Sequence, residues 1–374
     1  MKLFWNNLKK PFFVMAPMAD VTDVAFRALV AKRGAPDVFW TEFVSADGLY
    51  HTREVAKMKD EENPLMRDLV IGEGQRPIIA QIFSNKSEMI AYATKLVAEL
   101  GFDGVDINMG CPDRSIEKQG SGAAMMKTPE VARAVIRAAK EAAEGLTKSQ
   151  HGFGNSGLRK SEHSFPVSVK TRVGYNKESL DEWLPVILEE APAAITLHLR
   201  TRKEMSLVPA NWELMKRAVE LRDKISPETR IIGNGDVTSV EQGRQLALET
   251  GCDGIMIGRG MFGNPWVFEG IRDSGLTKSR HAEVVGLEST TSIAMLGLRK
   301  SPHSEHSLEE KLAALVELAH NFEKITPAKN FAILKKHIKA FVTGFAGAAE
   351  LRARLMEAES AAELEKIIAG ASVK

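Results

Sequence analysis

The sequence has few cysteines, no long apolar run and almost no net charge, and each absence excludes a class of protein. Two cysteines in 374 residues, Cys111 and Cys252, cannot form a disulfide framework, and without clustered Cys and His a structural zinc site is not expected. No stretch reaches 18 uninterrupted apolar residues, and the N-terminus lacks a secretory signal. A net charge of +1 excludes an overall strongly basic nucleic-acid binder but leaves local patches open. We therefore expect a cytoplasmic globular protein.

Short runs rich in β-branched residues alternate with helical stretches over the first two-thirds of the chain. This pattern is typical of buried parallel strands with helical crossovers, so we predict an α/β protein. The strands are predicted at Phe13–Ala16, Val38–Val44, Ile78–Ile82, Gly104–Asn108, Val167–Thr171, Ala194–His198, Arg230–Gly233 and Gly254–Ile257. Helices are predicted between them, for example at Val24–Lys32 and Pro129–Glu144.

Two α/β architectures are consistent with this pattern. Eight strand–helix repeats within roughly 270 residues match a (β/α)₈ TIM barrel. A doubly wound open sheet instead predicts a glycine-rich phosphate turn after the first strand. That turn is Ala16-Pro17-Met18-Ala19-Asp20 and contains no glycine. The sequence therefore favours the TIM barrel.

Two segments, 145–164 and 275–307, interrupt the pattern and repeat each other. GLTKS begins at Gly145 and Gly275, GLRKS begins at Gly157 and Gly297, and a histidine follows each pair. The histidine spacings differ and no acidic partner recurs, which favours surface insertions over a metal site. We predict a catalytic barrel at 1–270 with an insertion at 145–164, a linker at 271–306, and a helical domain at 307–374.

The last segment carries no strand signal. Ser307-Leu308-Glu309-Glu310 has the pattern of a capping box that opens a helix. From Lys324 to Lys339 the chain has five lysines and no acidic residue. Two interpretations stay open at this point, a solvated helix face and a phosphate-binding surface.

Polar side chains stand at the carboxyl ends of seven of the eight predicted strands. In a TIM barrel these ends carry the catalytic groups. The strand ends bring Glu42, Gln81, Asn108, Lys170 with Arg172, His198 with Arg200, Asn234 with Asp236, and Arg259. A purely structural barrel has no need of so many, so we predict an enzyme.

The last two strand ends indicate a phosphorylated cofactor. Asn234-Gly235-Asp236 and Gly258-Arg259-Gly260 stand where barrels bind phosphate, although each alone also fits a tight turn or a surface ion pair. Lys170 fits a Schiff-base lysine or a cation beside an electron-rich ring. His198 and Gln81, which can hydrogen-bond the same ring, favour the second interpretation. Together they predict a flavin mononucleotide (FMN) site.

The two cysteines receive different interpretations. Cys252 precedes strand eight and has no reactive neighbours, so we interpret it as a small residue of the core. Cys111 lies in the loop Asn108-Met109-Gly110-Cys111-Pro112 on the catalytic face. A thiol with a pKa of about 8.5 is mostly protonated at neutral pH, so Cys111 can act as an acid as well as a nucleophile.

Eight motifs follow one another in an order and spacing that a barrel requires. They are Ala16-Pro17-Met18-Ala19-Asp20-Val21-Thr22-Asp23, Gln81, Asn108-Met109-Gly110-Cys111-Pro112, Lys118-Gln119-Gly120-Ser121-Gly122-Ala123-Ala124-Met125-Met126, Lys170-Thr171-Arg172-Val173-Gly174, His198-Leu199-Arg200-Thr201-Arg202, Gly233-Asn234-Gly235-Asp236 and Gly258-Arg259-Gly260. With Lys329-Asn330-Phe331 and Gly344-Phe345 further on, the chain resembles the flavin-dependent tRNA-dihydrouridine synthases over nearly everything except the two repeated segments.

The resemblance implies a reaction and a set of site residues. The enzyme would reduce the C5–C6 double bond of uridine in tRNA, with FMN reduced by NADPH (or NADH) giving hydride to C6 and Cys111 protonating C5. The resemblance puts around the flavin Pro17, Met18, Ala19, Gln81, Lys170, His198, Asn234, Gly235, Asp236, Gly258 and Arg259. It puts at the uracil or its phosphates Asn108, Lys118, Arg172 and Arg200, and at the tRNA Lys329, Lys335, Lys336 and Lys339. A monomer without metal or membrane partner is expected.

Three alternatives remain at this stage. An FMN-dependent barrel acting on a small molecule, of the dihydroorotate dehydrogenase type, would share the flavin site but not need a basic helical domain. A non-catalytic tRNA-binding protein would not need Cys111. A Schiff-base aldolase built on Lys170 would be colourless.

Overall fold

The computed structural model describes residues 4–149, 165–271 and 306–371. Eight parallel strands form one sheet in the order β1-β8-β7-β6-β5-β4-β3-β2. They are β1 Phe12–Met15, β2 Phe39–Ser45, β3 Ile78–Phe83, β4 Gly104–Met109, β5 Val167–Arg172, β6 Ala194–His198, β7 Arg230–Asn234 and β8 Gly254–Ile257. A bridge between Val14 and Val38 joins β1 to the start of β2 and closes the ring. The predicted TIM barrel is confirmed.

Helices follow the strands around the outside of the barrel. They are α1 Val24–Gly34, α2 Ala46–Tyr50, α3 Pro64–Arg67, α4 Ser87–Glu99, α5 Arg114–Lys118, α6 Pro129–Ser149, α7 Leu180–Leu188, α8 Glu213–Ile225 and α9 Val240–Thr250. Helix α6 continues beyond Glu144, so the first residues of the predicted insertion 145–164 are helical. The remainder of that insertion, and the predicted linker from 272 to 305, lie outside the described residues.

The floor of the barrel is an apolar cluster that faces inward from the strands. Its buried side chains include Phe12, Val14, Trp40, Ile79, Ile232 and Met256. Trp5, from the segment before β1, closes this end, with its ring 5.5 Å from that of Phe12 and 6.0 Å from that of Trp40. A packed floor leaves only the opposite end of the barrel open for chemistry.

Replacing Trp5 with alanine is expected to destabilise the whole barrel. The side chain is almost completely buried, and removing such a group leaves a cavity that typically costs about 3–5 kcal/mol. Urea unfolding monitored by circular dichroism measures this loss. A Trp266→Phe variant, altered at an only partly buried tryptophan, provides the comparison and is expected to unfold near the wild-type midpoint. Equal midpoints for the wild type and Trp5→Ala would contradict a sealing role.

The alternation of side chains along a strand explains why the other end is polar. Residues two apart on a strand share a face, so Gln81 lies above Ile79 and Asn234 lies above Ile232. On β5 the same rule brings Ser168, Lys170 and Arg172 to the interior in sequence. The barrel therefore changes from apolar to polar within one or two residues of each strand's carboxyl end.

The chain ends in a helical part packed against the barrel. It contains α10 Leu308–Glu323, α11 Lys335–Phe341, α12 Ala348–Leu355 and α13 Ala361–Ala369. The predicted capping box is confirmed, since Ser307 and Glu310 bond each other's backbone N–H groups. Glu317 on α10 pairs with Lys32 and Arg33 on α1 at 3.0 and 2.7 Å. Among the helices in the described ranges, none has the length and apolar content needed to cross a membrane.

Candidate active site

A cavity of about 510 Å³ opens at the carboxyl ends of the strands. Most of the predicted site residues line it, namely Pro17, Met18, Gln81, Asn108, Cys111, Lys170, Arg172, His198, Arg200, Asn234, Gly235, Asp236, Gly258 and Arg259. Ala19 and Lys118 are not part of its lining, and Lys118 is exposed on α5. The strand ends thus bring together all the residues predicted at the flavin and the uracil except Ala19 and Lys118.

Asn108 holds the loop that carries Cys111. Its side-chain oxygen accepts hydrogen bonds from the backbone N–H groups of Gly110 and Cys111 at 3.1 and 2.9 Å. Its amide nitrogen donates to Gln81 at 3.0 Å. The resemblance implies that Asn108 faces the uracil or its phosphates, but most of its hydrogen-bonding capacity is used to position the cysteine loop.

Gln81 is fixed from two sides in the floor of the cavity. It accepts from Asn108 and donates to Asp106 at 2.6 Å, and Asp106 also accepts from Ser168 at 2.6 Å. Burial raises the pKa of Asp106 to about 6, against the lowering effect of these hydrogen bonds. The hydrogen bonds from Gln81 and Ser168 favour the ionised carboxylate, whose negative charge lies beneath the site.

The Cys111 thiol is partly buried and faces the cavity. Burial is the main reason that its pKa is raised, while the nearby Arg172 and Lys170 act in the opposite direction. The thiol therefore stays protonated at neutral pH. Cys252 differs as expected, because it is buried beside β8 and absent from the cavity lining.

Lys170 brings a buried cation into the centre of the site. Its ammonium donates to Asn234 Oδ1 at 3.1 Å, and Asn234 in turn donates to the backbone of β8. Burial lowers the pKa of Lys170 to about 8, with Arg172 adding to the effect and Asp106 opposing it. An ammonium carries three donors, and the contacts of the described residues use one. The others can bind an electron-rich group in the cavity.

His198 is neutral, and its tautomer follows from its neighbour. Burial, helped by the surrounding Lys170, Arg172 and Arg200, lowers the pKa of His198 far below its usual range. Its Nε2 lies 3.2 Å from a guanidinium nitrogen of Arg200. Since arginine only donates, Nε2 accepts and the proton resides on Nδ1. His198 therefore offers one N–H donor.

Arg172 and Arg200 are buried and bind backbone carbonyl groups, most of them in the loop after β6. Arg172 donates to Gly110 at 2.8 Å, and to Thr201 and Met205 at 3.1 and 2.9 Å. Arg200 donates to Val208 at 2.5 Å. Both line the cavity as predicted, but several of their donors hold the protein together and are not free for a substrate.

Asp236 and Arg259 form an ionic pair at the mouth of the cavity. Asp236 accepts from Arg259 at 2.6 Å, from the backbone of Ala210 at 2.9 Å, and from Arg200. Burial acts to raise the pKa of Asp236, but these contacts, led by the hydrogen bond from Arg200, outweigh it and lower the pKa. Asp236 orients Arg259, whose side chain is more than half exposed. The arginine, rather than the aspartate, can face a phosphate.

Gly235 allows the loop after β7 to come close to its neighbours. Its φ of +141° is uncommon for other residues, and a Cβ at this position would lie 2.5 Å from the Cβ of Ala210. Because Gly235 has no side chain and lines the cavity, its backbone faces the cavity, as in a phosphate-binding turn.

Lys329 corrects the interpretation of the lysine-rich segment. Its side chain is only 2% exposed and pairs with Glu42 at 2.5 Å and Asp68 at 3.2 Å. This geometry contradicts the prediction that Lys329 contacts tRNA. Glu42 also accepts the backbone N–H of Asp20, and this buried cluster joins the helical part to the barrel.

The other predicted lysines of this segment lie on α11. Lys336 is exposed and pairs with Asp20 at 3.1 Å. Lys339 is exposed and Lys335 is half-buried, and the described residues provide no ion pair for either. These three remain candidates for phosphate contacts.

Three residues that were not predicted from the sequence also line the cavity, namely Phe43, Ser206 and Thr238. Phe43 does so because the register of β2 against β3 shifts between Trp40 and Phe43. The shift lets Trp40 and Phe43 both face the interior and turns Glu42 towards Lys329. No local signal in the sequence marks this irregularity. In a regular strand Trp40 and Glu42 would lie on the same face.

Known proteins resemble this chain along most of its length. A family model described as Dihydrouridine synthase (Dus) matches residues 14–372. A "Probable tRNA-dihydrouridine synthase" of Staphylococcus epidermidis is 36% identical over 368 residues, covering 98% of this chain and 95% of the relative. A "Probable tRNA-dihydrouridine synthase 2" of Bacillus subtilis is 37% identical over 366 residues, covering 98% and 95%.

A solved structure supports the fold alone. The structure of a 2-naphthoyl-CoA reductase matches with a TM-score of 0.52 at 9% identity, covering 73% of this chain and 51% of the reductase. At this level of identity the likeness concerns the barrel and carries nothing about substrates.

Proposed function

This chain belongs to the dihydrouridine synthase family and is a flavin-dependent oxidoreductase that makes dihydrouridine in tRNA, and from this premise we propose that the cavity holds FMN and that Cys111 is its general acid. The observation that carries the proposal is the convergence of Cys111, Lys170 and His198 on one cavity of about 510 Å³. NADPH, or NADH, is proposed as the reductant.

The residues of the cavity fit a flavin with a phosphate. Lys170 has donors to spare for the electron-rich part of the ring, and Nδ1 of His198 is a second donor. Arg259 and the backbone after β7 and β8 provide a positive, accessible mouth for the phosphate. Gln81 is fixed by Asp106 and Asn108, so it offers less to the ring than the sequence predicts. The pattern of charge supports FMN over an uncharged ligand.

The chain's own residues prepare the second half of the reduction. A reduced flavin supplies the hydride that is added to C6 of the uracil. The Cys111 S–H donates a proton to C5, which completes the saturation of the double bond. Because burial raises the pKa of this thiol, it carries its proton at neutral pH, as a general acid must. Asn108 keeps the thiol in place through the two backbone N–H groups that it binds.

The tRNA is proposed to reach the site across residues 307–374, taken as a tRNA-binding domain. Lys335, Lys336 and Lys339 share the short helix α11, and Lys336 lies against Asp20 next to the cavity-lining loop. Lysines that neutralise backbone phosphates release counterions, so binding should weaken as salt rises. The monomeric state and a cytoplasmic location, where tRNA is found, belong to the same proposal.

Replacing Lys335 and Lys339 together with alanine is expected to weaken tRNA binding and to flatten its salt dependence. For each lysine–phosphate ion pair that the variant removes, the slope of log K against log salt should fall by about 0.7–0.9. Filter binding at several salt concentrations measures both quantities. Lys216→Ala, on the outer helix α8, is the control and should leave the slope unchanged. A double variant that binds like the wild type at every salt concentration would remove α11 from the interface.

Incubating the purified protein with tRNA, FMN and NADPH tests the proposed function as a whole. Mass spectrometry should find dihydrouridine in the tRNA, the protein should be yellow before turnover, and parallel reactions with NADH decide between the two reductants. A colourless protein that cannot be loaded with FMN would contradict the flavin site. Reduction of a free pyrimidine with no activity on tRNA would favour the small-molecule alternative.

A further inference from the structure

A short apolar segment lies exposed at the mouth of the cavity. We call Met205–Val208 the rim segment. Ser206 lines the cavity, and its neighbours Met205, Leu207 and Val208 are exposed, with Leu207 85% exposed. A single exposed leucine is ordinary on a protein surface. Three apolar side chains grouped beside an active-site opening suggest contact with a partner.

The rim segment is held firmly from below by two buried arginines. Arg172 donates to the carbonyl of Met205 at 2.9 Å, and Arg200 donates to that of Val208 at 2.5 Å. Met205 has a φ of +56°, which is uncommon for a residue other than glycine. Such a conformation persists only where its surroundings impose it. The exposed side chains are therefore presented in a fixed position.

Hydrogen bonds within residues 201–207 also stabilise the rim segment. Glu204 accepts from the backbone N–H of Thr201 at 2.7 Å, and its own carbonyl accepts from Leu207 N–H at 2.9 Å. The second bond closes a compact turn over Glu204–Leu207, and Leu207, its last residue, is 85% exposed. Leu207 can leave its exposed position only if these hydrogen bonds break.

The charges next to the rim favour a nucleic acid as the partner. Lys203 is exposed two residues before Met205, whereas Arg202 beside it is 25% exposed and paired with Glu117. An apolar segment with an exposed lysine on one side matches a base next to its phosphate. A uridine can enter the cavity only after it has left its stack, which costs a few kcal/mol, and apolar side chains inserted between bases commonly assist such unstacking.

We propose that Leu207 is an apolar wedge that enters the tRNA base stack next to the target uridine while that uridine moves into the cavity. The proposal rests on the proposed function, because only a base that must be extruded needs a wedge. It assigns to Arg172 and Arg200 the positioning of the wedge, in addition to lining the cavity.

Leu207→Ser tests the wedge by removing the apolar side chain from an exposed position, where the fold is not at risk. We expect kcat/KM for tRNA to fall at least about tenfold, since unstacking is no longer offset. Reduction of the bound flavin by NADPH should not change. Leu248→Ser, at a leucine 80% exposed on α9, is the matched control and should keep the wild-type value. Leu207→Met should restore most of the loss.

A spectroscopic measurement separates a wedge from a simple contact. 2-Aminopurine placed beside the modified uridine brightens when its stack opens, and wild-type protein should cause this brightening while Leu207→Ser should not. Equal brightening, or equal kcat/KM in the Leu207→Ser and Leu248→Ser variants, would overturn the proposal. A dimer that Leu207→Ser converts to monomers would also overturn it, in favour of an interface between two copies. Failure of the wild type itself to form dihydrouridine would instead contradict the proposed function.

Discussion

Replacing Cys111 with alanine is expected to lower the rate of uridine reduction in tRNA by about 10²- to 10⁴-fold, the range typical of a missing general acid. The thiol lies in the cavity with its pKa raised by burial, so it is protonated when the substrate arrives. Hydride addition at C6 leaves C5 in need of a proton, and alanine cannot supply one. Rapid mixing of the reduced enzyme with tRNA measures the reaction: flavin absorbance reports hydride transfer, and mass spectrometry of quenched samples reports the dihydrouridine formed.

The same variant should keep the steps that do not involve the proton. FMN affinity, reduction by NADPH and tRNA binding should remain near the wild-type values, because the Asn108 hydrogen bonds that hold the loop go to the backbone of Gly110 and Cys111. Cys252→Ala is the matched control, since it removes the other thiol, which is buried away from the cavity. Wild-type rates of dihydrouridine formation in Cys111→Ala would eliminate the thiol as the acid.

The strand pattern made the location of the site predictable. Once β-branched runs indicate eight parallel strands, the residues at the carboxyl ends must meet, and Lys170, His198 and Asn234 do so. All eight predicted strands overlap the observed ones closely at both ends. The period of two then decides which side chain at each end points inward. This part of the prediction depends only on local sequence.

The partners of those residues were not predictable in the same way. Asn108 and Arg172 bind mostly backbone groups, and Arg200 binds one backbone carbonyl together with His198 and Asp236. The positions of all these partners depend on the folded loops. Lys329 is buried because Glu42 and Asp68, which are distant from it in sequence, meet it in the folded chain. From the sequence alone, a lysine in a basic segment is interpreted as a charge on the surface. Tertiary contacts, rather than residue type, decide these roles.

Replacing Lys170 with methionine is expected to weaken FMN binding by about 10- to 100-fold. The ammonium is the buried cation of the cavity centre, and hydrogen bonds to charged groups contribute about 1.5–3 kcal/mol. Methionine keeps most of the apolar length but neither the charge nor the donors. Fluorescence quenching of added FMN by the flavin-free enzyme measures the dissociation constant. Lys216→Met, on the outer surface of α8, should bind FMN like the wild type.

The pH dependence of FMN binding tests directly whether the charge of Lys170 binds the flavin. Burial lowers the pKa of this group to about 8 in the protein, so its charge is present below that pH and is lost as the pH rises through it. Above that pKa the wild-type enzyme must take up a proton to bind FMN, and the dissociation constant should rise by up to about tenfold per pH unit. The Lys170→Met variant should lack this rise because it has no charge to lose. A rise of equal steepness in both proteins would show that another group binds the flavin, and the assignment of Lys170 would then be wrong.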